Sequence, residues 1–137
     1  TIDEYVGTPL TLVNVQSPSE FKLDQVFAAG FPGSVIESDQ EFIKLIELGE
    51  FSVPDLVITD GTISSHQKVF GEVLAFVHTA QMSGGNSGGP LVNQCGNVIG
   101  VNTFINTSTD GVRNFSLILQ FLSRSMVVPR VSARECK

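Results

Sequence analysis

Ser87 sits in the run Gly84-Gly85-Asn86-Ser87-Gly88-Gly89-Pro90, a single hydroxyl among glycines with apolar stretches beyond it. Glycine takes backbone dihedrals that other residues avoid, and it lets a ligand come close to the main chain. A serine hydroxyl is a weak nucleophile until a base takes its proton and N–H groups face the oxyanion that forms. The amides of Gly85 and Ser87 flank Asn86 and can point into one hollow, so the run reads as acyl-transfer chemistry. It reads equally as a glycine-rich hairpin turn with an incidental serine, because so short a pattern recurs by chance.

The segments that must hold this run in place read mostly as strands. Leu10–Val15 is β-rich and is broken by Ser17-Pro18-Ser19. Phe21–Ala29 reads as a second strand, stopped by Gly30-Phe31-Pro32-Gly33, and Val35 and Ile36 begin a third. Between Ser38 and Gly49, the apolar Phe42, Ile43, Leu45, Ile46 and Leu48 suit a short amphipathic helix capped by Ser38 or Asp39. Two short strands carry the same residues, and a strand hairpin is the expectation. Asp55–Ser64 is a strand with Gly61 as a bulge. Gly71–Thr79 leads into the serine run. Pro90–Val92 and Val98–Phe104 form a hairpin around Asn93-Gln94-Cys95-Gly96-Asn97, and Thr107–Gly111 is a polar turn. Arg113–Leu117 is a strand, and the apolar spacing of Leu117–Met126 predicts a C-terminal helix. Many short strands with turns between them indicate an all-β barrel or sandwich.

Composition narrows the function classes. The chain has 137 residues, 42% hydrophobic and 16% charged, enough for one domain with its own core. The net charge of −6 argues against nucleic acid and anionic membranes, both of which call for basic patches. No apolar run is long enough to span a bilayer, and no signal-peptide pattern opens the sequence at Thr1. Cys95 and Cys136 are the only cysteines, either free or joined to each other. Asn106-Thr107-Ser108 and Asn114-Phe115-Ser116 match the N-glycosylation sequon, the second in a strand expected to be buried.

The serine run resembles the nucleophile loop of chymotrypsin-fold serine peptidases, closest to the HtrA-like branch and to the bacterial glutamyl endopeptidases with their Gly-Asn-Ser-Gly loops. Three further stretches support the resemblance in the family's order. Val26-Phe27-Ala28-Ala29-Gly30-Phe31-Pro32-Gly33 is similar to the strand and turn that open the second barrel. Val57-Ile58-Thr59-Asp60-Gly61-Thr62-Ile63-Ser64-Ser65 is similar to the T-x-G-x-[IV]-S strand, and Asn114-Phe115-Ser116-Leu117 to the last strand before the terminal helix. The resemblance runs from about Leu10 to Met126. It implies a six-stranded antiparallel trypsin-like β-barrel with a C-terminal helix, the second half of a two-barrel fold. On this reading residues 1–137 are a single domain and the N-terminal barrel is not in the chain. No cofactor or metal is implied, and a secreted or extracytoplasmic setting is favoured.

Residue by residue, the resemblance makes Ser87 the nucleophile, with the backbone amides of Gly85 and Ser87 as the oxyanion hole. It puts Gln81 at the floor of the primary substrate pocket with Met82 and Ser83 beside it. Asn102, Thr103 and Phe104 become the wall strand that pairs with substrate, and Arg113 approaches the back of the pocket. A Gln81 floor lacks the aspartate that selects Lys or Arg. The triad is where the sequence departs from the pattern. His66 and His78 are the only histidines, and neither has the T-A-[AG]-H context of the family's base. His66 reads as surface in a polar turn, and His78 as a strand histidine near the pocket wall, satisfied by its neighbours. Asp3 lacks the apolar strand context of the family's acid and reads as a solvated terminal carboxylate. Two functions follow. One is a serine endopeptidase whose histidine and aspartate come from an N-terminal barrel or a second chain. The other is a non-catalytic β-domain of peptidase descent that binds a peptide or protein. The G-x-S-x-G elbow of α/β-hydrolases also fits Gly85–Gly89, but Pro90-Leu91-Val92 followed by Gly96 cannot supply the helix which that elbow needs.

Overall fold

The computed structural model describes residues 7–31, 33, 40–49, 55–118 and 130–132. Six strands close on themselves: β2 (Gln25–Gly30), β3 (Val57–Val69), β4 (Val73–His78), β5 (Pro90–Asn93), β6 (Val98–Ser108) and β7 (Gly111–Ile118). Their order around the barrel is β5-β2-β3-β4-β7-β6, and a β5–β6 pairing completes the ring. Every pairing within the ring is antiparallel. Closure leaves these strands no open edge. Two short strands, β1 (Leu12–Asn14) and β8 (Arg130–Ser132), add on in parallel beyond β6.

The side-chain alternation of strands sorts the apolar residues into two clusters. Inside lie Val26, Ala28, Ile63, Phe76, Leu91, Ile99 and Ile118, with Phe21 packed on Phe76 at a ring-centroid distance of 5.3 Å. On the other face of β4 and β7, Ala75, Val77 and Phe115 form a second cluster with Phe104 stacked on Phe115.

The sequence-based boundaries shift in several places. Only Leu12–Asn14 of the first predicted strand is extended, and Pro18–Phe21 is a 3-10 turn where the second strand was expected to begin. Gln40–Leu48 is an α-helix, α1, and not the expected hairpin; its apolar residues follow the 3.6-residue period, and that period prevails. Strand β3 runs on to Val69, so His66 lies in a strand, exposed and paired with Phe76, and not in a turn. The bulge of β3 falls between Ile63 and Ser65 and not at Gly61. Gly61 keeps its register with Val26; its lack of a side chain serves close packing, since a Cβ there would lie 2.1 Å from the Ala80 nitrogen. Leu117 and Ile118 are strand residues, and the rest of the predicted C-terminal helix lies outside the described residues. Asp3 and Cys136 lie outside them too, while Cys95 is disulfide-bonded. Among the described residues no helix is long and apolar enough to cross a membrane.

Candidate active site

The Ser87 run links β4 to β5, and its shape is set by the elements on either side. Asn86 donates its N–H to the Ser83 carbonyl at 3.1 Å, closing a turn through Gly84 and Gly85. Gly85 has φ +103°, a backbone conformation open to glycine and costly for other residues. The strand end that leaves β2 presses on the turn from outside. Gly33 donates to the Gly84 carbonyl at 2.6 Å, and a Cβ on Gly85 would lie 2.1 Å from the Phe31 carbonyl oxygen. Asn86 is buried, and its side-chain oxygen accepts the Ser83 N–H at 3.1 Å. Beyond the serine, Gly88 donates to the Asn102 carbonyl and Asn102 donates to the Gly89 carbonyl, each at 2.8 Å. The serine is therefore fixed on one side by β2 and on the other by β6.

The N–H groups of Gly85 and Ser87 have no hydrogen-bond acceptor among the described residues, whereas those of Asn86, Gly88 and Gly89 all have one. The Ser87 hydroxyl donates to the Thr103 carbonyl at 2.6 Å. A carbonyl oxygen accepts that hydrogen bond but cannot take the proton, so this contact does not activate the serine.

A cavity of about 140 Å³ opens beside Ser87, lined by Met82, Ser83, Gly84, Asn86, Thr103, Phe104 and Ile105. Of the residues assigned to a substrate pocket, Met82, Thr103 and Phe104 meet there. Gln81 does not line it; its side chain is exposed and its carbonyl accepts the Thr59 hydroxyl at 2.7 Å. Asn102 points inward and is buried, its amide donating to the Ala29 and Pro90 carbonyls. Strand alternation explains the difference, because Asn102 and Thr103 are neighbours and face opposite sides of the barrel wall. Ile105, which also lines the cavity, was missed by sequence reasoning; it follows a register irregularity between Asn102 and Phe104 that nothing in the sequence marks. Arg113 lines a different cavity of about 280 Å³, with Ser64, Ser65, Gln67 and Thr79.

Neither histidine lines the Ser87 cavity or is bonded to Ser87. His78 is 2% exposed, and its Nε2 lies 2.8 Å from the Ser116 hydroxyl. Burial pushes its imidazole down to about 4. The main chain of Ala80 acts in the opposite direction and is the smaller of the two effects, and Nδ1 has no partner in hydrogen-bond geometry. The sign of the resulting pH dependence follows. The unfolded chain, with its histidine near 6.5, takes up this proton before the native state does, so stability falls as pH drops from about 6.5 towards 4. Urea unfolding at the two ends of that window should show a loss of roughly 3 kcal/mol that His78→Gln removes. Equal losses in the two proteins would refute the assignment to His78. Among the described residues no cluster of His, Cys, Asp and Glu could hold a metal ion.

This arrangement has counterparts. A sequence model of the trypsin-like peptidase domain matches residues 4–101, most of the chain. The chain belongs to the trypsin-like peptidase family. The solved structures similar to this trypsin-like domain include HtrA-type serine proteases. One is the HtrA-type protease AlgW with a decapeptide, 26% identical with a TM-score of 0.53; the match covers 80% of this chain and 29% of that one. Another is the serine endoprotease from Yersinia pestis, 22% identical with a TM-score of 0.54, covering 87% of this chain and 35% of that one. The protease Rv3671c in an inactive form is 18% identical with a TM-score of 0.56, covering 88% of this chain and 54% of that one. This trypsin-like domain thus spans between about a third and a half of those chains' lengths. No curated protein is significantly similar to it.

Proposed function

We propose that this domain is the nucleophile-bearing half of a serine endopeptidase. Ser87 attacks the peptide carbonyl, and the N–H groups of Gly85 and Ser87 receive the oxyanion. A histidine oriented by an aspartate, both carried by an N-terminal barrel in the same protein or in a second chain, takes the proton from Ser87 and returns it to the leaving amine. The observation that carries this reading is the pair of N–H groups, Gly85 and Ser87 on either side of Asn86, that have no acceptor among the described residues, in a turn with Gly85 at positive φ beside a cavity-lining serine. The decapeptide held by AlgW supports a peptide substrate. Thr103 and Phe104 would run beside that substrate, and Met82 would lie in its pocket.

A specific observation favours the second reading, a peptide-binding domain without catalysis: the Ser87 hydroxyl is bonded to a carbonyl, and both histidines lie elsewhere. Cleavage of a mixed peptide library separates the two. The isolated chain should leave the library intact, and addition of a His- and Asp-bearing first barrel should start cleavage. A folded assembly that binds peptides and cuts none would support the binding domain.

A further inference from the structure

Three polar side chains cross the barrel interior where apolar packing would be expected. His78, Ser116 and Asn102 are 2%, 0% and 1% exposed. His78 Nε2 lies 2.8 Å from Ser116 Oγ, and Ser116 Oγ donates to Asn102 Oδ1 at 2.9 Å. The Asn102 amide nitrogen donates to the Pro90 carbonyl at 3.1 Å and to the Ala29 carbonyl at 3.3 Å.

Only one arrangement of protons satisfies this chain. The Asn102 nitrogen faces two carbonyls, so its oxygen faces Ser116. That oxygen only accepts, so Ser116 gives its single proton there and must itself accept from the histidine. His78 therefore carries a proton on Nε2, and the donors run in one direction from β4 through β7 to β6. Nδ1 is left bare and buried. A buried polar chain is costly unless its members are paired, so it calls for a purpose beyond packing.

Its far end supplies one. Asn102 exchanges both main-chain hydrogen bonds with Gly88 and Gly89, and its side chain holds the Pro90 carbonyl. These are the three residues that follow Ser87. The next residue of β6 is Thr103, whose carbonyl accepts the Ser87 hydroxyl. A rotation of Asn102 would thus shift the backbone after Ser87 and the carbonyl in front of it together.

We propose that His78 is a positioning residue for Ser87, holding Asn102 through Ser116 and so fixing the Gly88–Pro90 backbone against β6. This rests on the peptidase reading for its effect on turnover, but its first readout needs no turnover. Amide hydrogen exchange of the 137-residue chain is measured for wild type, His78→Met, which fills the space without a donor, and His78→Gln, which restores a donor at a similar reach. His78→Met should speed exchange at Gly88 and Asn102 by about 10-fold, the scale of one buried hydrogen bond, with the β3–β4 hairpin amides unchanged. His78→Gln should restore the wild-type rates. In the assembled enzyme the same pair should show kcat down about 10-fold and then recovered, with KM unmoved. Should His78→Met fail to fold, Ser116→Ala breaks the relay at the loss of one atom and should speed the same two amides. Unchanged rates at Gly88 and Asn102, a uniform rise at all amides, or equal behaviour of Met and Gln would overturn the proposal. Faster exchange in His78→Met together with a wild-type assembly that never cleaves peptide would leave the relay standing and defeat the peptidase reading alone.

Discussion

Ser87→Ala should lower peptide hydrolysis by the assembled enzyme about 10⁶-fold, the loss seen when a triad serine is removed. The effect is this large because nothing nearby can replace the hydroxyl. The cavity beside Ser87 is lined by Met82, Ser83, Gly84, Asn86, Thr103, Phe104 and Ile105; Ser83 is the only other hydroxyl-bearing residue there besides Thr103, and it lies before the turn, where its N–H is held by Asn86. Peptide binding should persist in this variant, since Thr103 and Phe104 are untouched. The check is kcat/KM on a fluorogenic peptide alongside the binding constant of an uncleavable one. A Ser87→Ala protein that retains more than a small fraction of wild-type turnover would place the nucleophile elsewhere.

Gly85→Ala should be the next most damaging change, and for two separable reasons. The methyl group would lie 2.1 Å from the Phe31 carbonyl oxygen, so the turn or the end of β2 must move. The φ of +103° also disfavours any side chain. Either movement displaces one of the two proposed oxyanion donors, and the loss of one such donor costs about 10²–10³-fold in kcat. Gly84→Ala is the control, since a Cβ there meets nothing within 4 Å. Kinetics of the two alanine variants in the assembled enzyme, with thermal unfolding run in parallel, check the contrast. Equal kcat values would show that the turn does not hold an oxyanion.

Much of this was readable from the chain because local chemistry is strong around Ser87. The glycines marked the turn, and short apolar runs set between turn residues marked β4 to β7. Where the reading went wrong, either a short pattern carried two periods or long-range packing had decided the outcome. The hairpin assigned to Ser38–Gly49 is the helix Gln40–Leu48, because short apolar runs carry both periods and only the wider pattern separates them. His66 was read into a turn from its polar neighbours, yet pairing with β4 extends β3 well past it. Asn102 was assigned to the pocket wall by its place in the family pattern. Its true orientation depends on buried partners at Ala29, Pro90 and Ser116, which are distant in sequence. The same distance hid His78: a lone histidine at the end of a strand gives no sign that a serine and an asparagine from two other strands complete its chain.

The central claim is that Ser87 is a formed nucleophile site awaiting an external base, and labelling by a serine-directed phosphonate tests it most directly. The reagent is incubated with the isolated chain and with the chain joined to a His- and Asp-bearing first barrel, and adducts are mapped by mass spectrometry with Ser87→Ala as control. Ser87 requires a base within about 2.6–3.2 Å, directly or through one water, to react at a useful rate. The expected result is stoichiometric labelling at Ser87 in the assembly and only residual labelling in the isolated chain. Rapid stoichiometric labelling of Ser87 in the isolated chain, or no labelling in a folded assembly, would contradict it.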